Sequence, residues 1–137
     1  MRFRFLATLI FLAAALPSGT EDAIVPGRPR LDVAALPRIA MSPAEVSFTA
    51  KLVGEGEMED FHCPEVEWVW ADGARSVRLS DCDPYQPGDE VARVFTARHR
   101  FRHPGLYLVT VNLRRASRVV AAANITIDVQ AGFPGRN

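Results

Sequence analysis

Over residues 45–53 every second side chain is apolar: Val46, Phe48, Ala50 and Leu52 face one way, and Glu45, Ser47, Thr49 and Lys51 face the other. A two-residue period of that kind predicts a half-buried β-strand. The pattern returns at Val66, Trp68 and Trp70, with Glu65 and Glu67 on the opposite face, and again at Phe95, Ala97, His99 and Phe101, with Arg98, Arg100 and Arg102 opposite. Tyr107, Val109, Val111 and Leu113 then alternate with Leu108, Thr110 and Asn112, and a closing strand over 119–129 points Ile125, Ile127 and Val129 inward. Between these runs, Ala71-Asp72-Gly73-Ala74 and His103-Pro104-Gly105 read as turns, a short return strand fits 76–79, and the segment 81–89 with Pro84, Pro87 and Gly88 reads as a loop. No segment long enough carries a helical period. Six or seven short strands at this spacing predict an all-β, antiparallel β-sandwich of about seven strands over 43–130.

The flanks differ in kind. Residues 20–42 contain Pro26, Gly27, Pro29 and Pro37 and no sustained period, so they read as a Pro-rich tether, with a short edge strand fitting 38–41. Residues 131–137, with Gly132, Pro134 and Gly135, read as a frayed tail. At the amino terminus Arg2 and Arg4 precede an uncharged run of twelve residues, 5–16, followed by Pro17, Ser18 and Gly19. A positive start, a short apolar run and small residues make a secretory signal peptide over 1–19. Twelve helical residues rise only ~18 Å against a hydrocarbon core of ~30 Å, so no stable span is expected once the signal is cleaved. Cleavage fits either at Ala13-Ala14-Ala15 or at Leu16-Pro17-Ser18. The expected location is therefore the periplasm or the outside of a bacterial cell.

Export changes the meaning of the only two cysteines, Cys63 and Cys82. In an oxidising compartment an even pair is read first as a disulfide. Closing a loop of about 20 residues is worth ~3 kcal/mol in the chain-entropy model. The pair brackets the Trp strand and its return segment, so the bridge is expected to clamp the ends of a hairpin.

Three motifs in order resemble a known family. Trp68-Val69-Trp70-Ala71-Asp72-Gly73 is similar to the W-D-F-G-D-G segment of PKD (polycystic kidney disease) domains, His99-Arg100-Phe101 to their H-T-Y, and the run from Pro104 to Val111 to their P-G-x-Y-x-V-T-L. Val69 stands in place of an Asp and Ala71 in place of a Gly, and the cysteine pair is not general to that family. The resemblance covers about 43–129. It implies an immunoglobulin-like sandwich used as an accessory module for adhesion, carbohydrate-associated or protein-binding roles, without catalytic residues. Gly105 and Tyr107 fall where immunoglobulin-like folds place a corner tyrosine.

Formal charge is zero, with sixteen basic and sixteen acidic residues, so no nucleic-acid partner is expected from the total. The distribution is uneven. Residues 44–90 carry twelve acidic and three basic side chains, whereas 91–137 carry eight arginines and one acid. Arg98, Arg100 and Arg102 would form a face for a polyanion; the competing expectation, which we favour, is intramolecular pairing of Glu45 and Glu67 with arginines on neighbouring strands. Acidic loops offer a calcium reading in which the disulfide brings Asp60 near Asp81 and Asp83, although no Asp-rich calcium loop motif is present. A copper site would need two His beside a Cys, and neither Cys has that company. His62, His99 and His103 come with no recognisable nucleophile motif, and His99 on an apolar strand face reads as a hydrogen-bonded core residue. Asn124-Ile125-Thr126 fits a glycosylation sequon but falls inside the closing strand. The expected function is a non-catalytic binding or structural module with a protein or carbohydrate partner and no cofactor. A calcium-dependent adhesin or ligand carrier is the second reading and an enzyme of unrecognised type the third; oligomeric state is left open.

Overall fold

The computed structural model describes residues 28–134; the signal peptide and the first part of the tether lie outside the described residues. Eight strands follow one another: β1 (Arg30–Leu36), β2 (Ile39–Met41), β3 (Ala44–Val53), β4 (Glu65–Val69), β5 (Arg75–Arg78), β6 (Val94–Phe101), β7 (Gly105–Arg115) and β8 (Arg118–Gln130). One 3-10 turn, Glu59–Phe61, interrupts them. The described residues are all-β, in two sheets. One has the order β1-β3-β6 and the other β2-β8-β7-β4-β5.

Alternation sets which faces meet. The strand β3 buries Val46, Phe48, Ala50 and Leu52 as its period requires. From the other sheet, Trp68, Trp70, Val109, Val111, Leu113, Ile125, Ile127 and Val129 turn toward it, and all belong to one continuous core. Phe48 is the hinge of that contact: its ring centroid lies 5.7 Å from Trp68 and 5.2 Å from Trp70. Fully burying such a side chain is worth ~1.5–3 kcal/mol, so this aromatic group dominates the interior.

The stretch read as a tether is a strand in its described part. In 31–35 the apolar side chains Leu31, Val33 and Ala35 alternate with Asp32 and Ala34, and Leu31 is buried in the core. The prolines at 29 and 37 flank this segment rather than interrupt it, so β1 pairs along its whole length with β3. The short edge strand expected at 38–41 is β2. It runs parallel to β8, so the pairing is not antiparallel throughout. The tail is also held in part: the Gly132 N–H donates to Ser42 Oγ at 3.2 Å, and a Cβ on Gly132 would stand 2.4 Å from the Ser42 carbonyl oxygen. Only glycine fits that approach. Residues 135–137 lie outside the described residues.

Two connections shape the surface. A two-residue loop, Ala116-Ser117, joins β7 to β8, and both residues have positive φ, 49° and 64°. The twist of the paired strands demands such a turn, although neither residue is a preferred occupant. Residues 79–93 leave the end of β5 and return to β6 without forming a strand.

Candidate functional site

The turn after β4 brings together Asp72 and His99, two of the polar residues singled out in the sequence. Asp72 Oδ1 accepts the Ala74 N–H at 3.0 Å, which closes the turn, while its Oδ2 accepts from His99 Nε2 at 2.6 Å. Both side chains are largely covered, at 17% exposure for His99 and 23% for Asp72. Burial pushes the Asp72 carboxyl up, but the His99 hydrogen bond, the Ala74 N–H and the His99 charge outweigh it, and the group is held below the usual carboxylate range. The His99 ring in turn lies flat on Trp70, 4.4 Å between centroids and 1° between planes, and meets Phe101 edge-on at 4.8 Å. Trp70 completes the chain by donating its indole N–H to Ser76 Oγ at 2.9 Å. Gly73 carries the positive φ of the turn at 92°, and Ala71 carries another at 64°. A non-glycine side chain at that angle is strained.

Beside this cluster, Tyr107 donates its hydroxyl to the His103 carbonyl at 2.6 Å and lays its ring against Phe101 at 4.5 Å. Gly105 makes room for that ring, whose nearest atoms would stand 3.4 Å from a Cβ. The hydroxyl thus reaches backbone four residues upstream, across the turn that precedes β7. Asp72, Gly73, His99, Phe101, Gly105, Tyr107, Trp68 and Trp70 therefore form one connected assembly at one end of the molecule. Its hydrogen bonds are directed at the fold itself.

The opposite end is tied by the disulfide. Cys63 and Cys82 are bonded, with Cα atoms 6.1 Å apart, and the bridge joins the segments that enter β4 and leave β5, as a clamp on that hairpin. His62 donates from Nε2 to the Asp83 carbonyl at 2.9 Å and packs near Tyr85. The calcium candidates are not assembled. Asp60 pairs with Arg118 at 3.0 Å, and among the described residues no three His, Cys, Asp or Glu side chains stand close enough to hold a metal ion. Basic side chains near the β7–β8 turn tie down this loop: Arg115 donates to the carbonyls of Glu59 and His62.

Neither a protein-family model nor a curated protein matches this chain.

Among the described residues some arginines of the basic half are held in ion pairs and others are not. Arg98 pairs with Glu45 at 3.6 Å, as expected for neighbouring strands, but both side chains stay largely in water and the pair is weak. Arg100 lies directly opposite Glu45 in the register, and Arg102 follows the end of β6. These three do not form one uninterrupted stripe, because Arg102 has left the strand. Glu67 is the surprise. It sits on the outer face of its sheet, yet only 5% of it is exposed. Arg75 donates to it at 3.1 Å and Asn112 at 3.0 Å, and Arg114 stands at 3.6 Å. Alternation alone predicts an exposed Glu67; long arginine stems from β5 and β7 fold over it and seal it.

A second feature was not visible in the sequence. Between the free edges of β5 and β6 opens a cleft of about 320 Å³ with Val66, Trp68, Trp70, Phe95 and Ala97 along its floor and wall. Its position depends on which strands end each sheet, a property of topology that local periodicity does not encode.

Proposed function

We propose that this chain is an exported, non-catalytic binding or structural module with the immunoglobulin-like sandwich architecture of PKD domains. The observation that carries the reading is the use made of the motif residues. Asp72, His99, Trp70 and Tyr107, the residues on which the resemblance rests, bond to one another and to backbone in the turn and corner. Side chains so committed serve a scaffold, and scaffolds of this type present partners with loops and strand edges. The disulfide agrees with an oxidising compartment.

The test is made on the processed protein from cells expressing the full chain. Recovery from the exported fraction, with a new amino terminus between residues 13 and 20 and no free thiol, is the expected result. Cytoplasmic retention of the full-length chain would overturn the export half. A hydrolase or transferase activity abolished by His99→Phe in a variant that remains folded would overturn the non-catalytic half.

A further inference from the structure

The two sheets are unequal, three strands against five, and the shortfall falls in one place. Among the described residues the edge strand β6 pairs with β3 on one side only, along eight residues. The facing edge, β5, has four residues, all exposed. Where a fourth strand would lie beside β6, ~4.8 Å away, the structure has the cleft floored by Trp68 and Trp70.

The edge has a definite hydrogen-bonding face. Leu52 N–H donates to the Arg93 carbonyl at 2.8 Å, which sets the phase of the β3–β6 ladder. Antiparallel pairs alternate between bonded and non-bonded, so the pairs Ala50–Phe95, Phe48–Ala97 and Val46–His99 are the bonded ones. Val94, Thr96, Arg98 and Arg100 then direct their N–H and C=O groups outward, away from β3. On this edge, side chains of β6 that face the interior are Phe95, Ala97 and His99, and those that face water are Val94, Thr96, Arg98 and Arg100.

We propose that the free edge of β6 takes up an extended segment of a partner protein in which small apolar side chains alternate with acidic ones. This rests on the binding-module reading and names its partner. Main-chain bonds to Thr96 and Arg98 hold the segment as a fourth strand. The period of a strand sends alternate side chains inward onto Phe95, Ala97 and the tryptophan floor, where about 320 Å³ shared among them admits valine or alanine rather than aromatic rings. The others stand on the outer face next to Arg98 and Arg100. Arg78, in register with Val66 and so turned to the inner side of β5, lines the cleft together with Arg98, and among the described residues no acidic side chain lines it. Charge complementarity therefore selects acid. A basic segment meets two arginines and is repelled.

The probe is an end-capped octapeptide alternating valine with glutamate, titrated into the ¹⁵N-labelled, processed, disulfide-bonded protein; a valine–lysine octapeptide is its control. Saturable shifts at the amides of Val94, Thr96, Arg98 and Arg100, with slowed hydrogen exchange there, are expected for the glutamate peptide only. Thr96→Pro deletes an outward N–H that the β3 ladder does not use, and should weaken binding by at least about tenfold in a protein that still melts cooperatively. Should that variant not fold, Arg98→Glu serves: it is expected to weaken the glutamate peptide by about fivefold and to let the lysine peptide bind. Shifts confined to loop residues overturn the proposal, as does equal binding of both peptides. Saturation of these amides by a neutral oligosaccharide, or a protein dimer paired through β6 that excludes the peptide, overturns it too. Loss of this edge binding leaves the module reading standing if the processed protein still engages a partner elsewhere. An activity dependent on His99 strikes the module reading and leaves the edge result as measured.

Discussion

Replacing His99 by alanine removes two interactions at once, and replacing it by phenylalanine removes one of them. The imidazole donates to Asp72 at 2.6 Å and stacks on Trp70 at 4.4 Å. A hydrogen bond to a charged partner is worth ~1.5–3 kcal/mol net and a good aromatic pair ~0.5–1.5 kcal/mol beyond burial. His99→Ala is thus expected to cost about 2–4 kcal/mol, and His99→Phe, which keeps the ring on Trp70, about 1.5–3 kcal/mol. In a domain of this size each kcal/mol moves Tm by ~4–8 °C, so both losses are easily read by thermal or urea unfolding followed by circular dichroism. Asp72→Ala also sacrifices the Ala74 N–H bond, and the cycle of His99→Phe, Asp72→Ala and the double variant isolates the shared bond. A coupling of about 1–2 kcal/mol is expected; one below about 0.3 kcal/mol would refute a structural role for the pair. The same cycle has a pH signature. The Asp72 carboxyl is lowered on folding, so its contribution is fully present above the unfolded value of 3.8 and is lost as pH falls through the folded one. The stability gap between the protein and Asp72→Asn should narrow on acidification in that range, and a gap that widened would reverse the assignment.

Three further outcomes follow from single contacts. Cys63→Ser with Cys82→Ser should lower unfolding free energy by ~3 kcal/mol with little change in the folded spectrum, measured in urea; a loss under about 1 kcal/mol would mean that the open loop is already constrained. Glu67→Ala leaves the half-covered Arg114 and the amide of Asn112 facing an empty acceptor, an expected loss of about 2–3 kcal/mol, whereas a loss within about 0.5 kcal/mol would mark Glu67 as an ordinary surface residue. Ala71→Gly relieves the residue at φ 64° and should raise stability by about 1 kcal/mol, visible as a higher Tm; a drop would show that the turn tolerates the methyl group without strain.

Where side-chain period and burial coincide, the sequence was sufficient. Val46 through Leu52 and Val109 through Leu113 are buried at every second position because each strand has one face on the other sheet. The corner at Gly105 and Tyr107 and the Asp72 turn were legible because their chemistry is local: a small residue admits a ring, and a short carboxylate reaches the amide two residues on. The strand β1 was hidden for a physical reason. Its apolar positions are Leu31, Val33 and Ala35, and three such positions between prolines, only the first of them fully buried, give a weak period beside turn-like punctuation. Its partner β3 supplies the missing definition, since a fully matched ladder stabilises a segment of little intrinsic preference.

The charge asymmetry shows how far such reading extends. An acidic first half and a basic second half predicted contacts between them, and Glu45–Arg98, Asp60–Arg118 and Glu67–Arg114 all cross from one half to the other. Strand order explains two of them, since β4 lies beside β7 and β3 beside β6, while Asp60 on the 3-10 turn meets Arg118 at the start of β8. Burial then sorts these contacts by worth. Glu67, sealed under two arginine stems, is tied to the fold, while Glu45 and Arg98, both largely exposed, are bound to one another only loosely. An arginine held that weakly, on a strand with an unsatisfied edge and beside an apolar cleft, is free to change partner at small cost. The residue that composition marked as one of a basic stripe thereby acquires its meaning from the strand that is missing beside it.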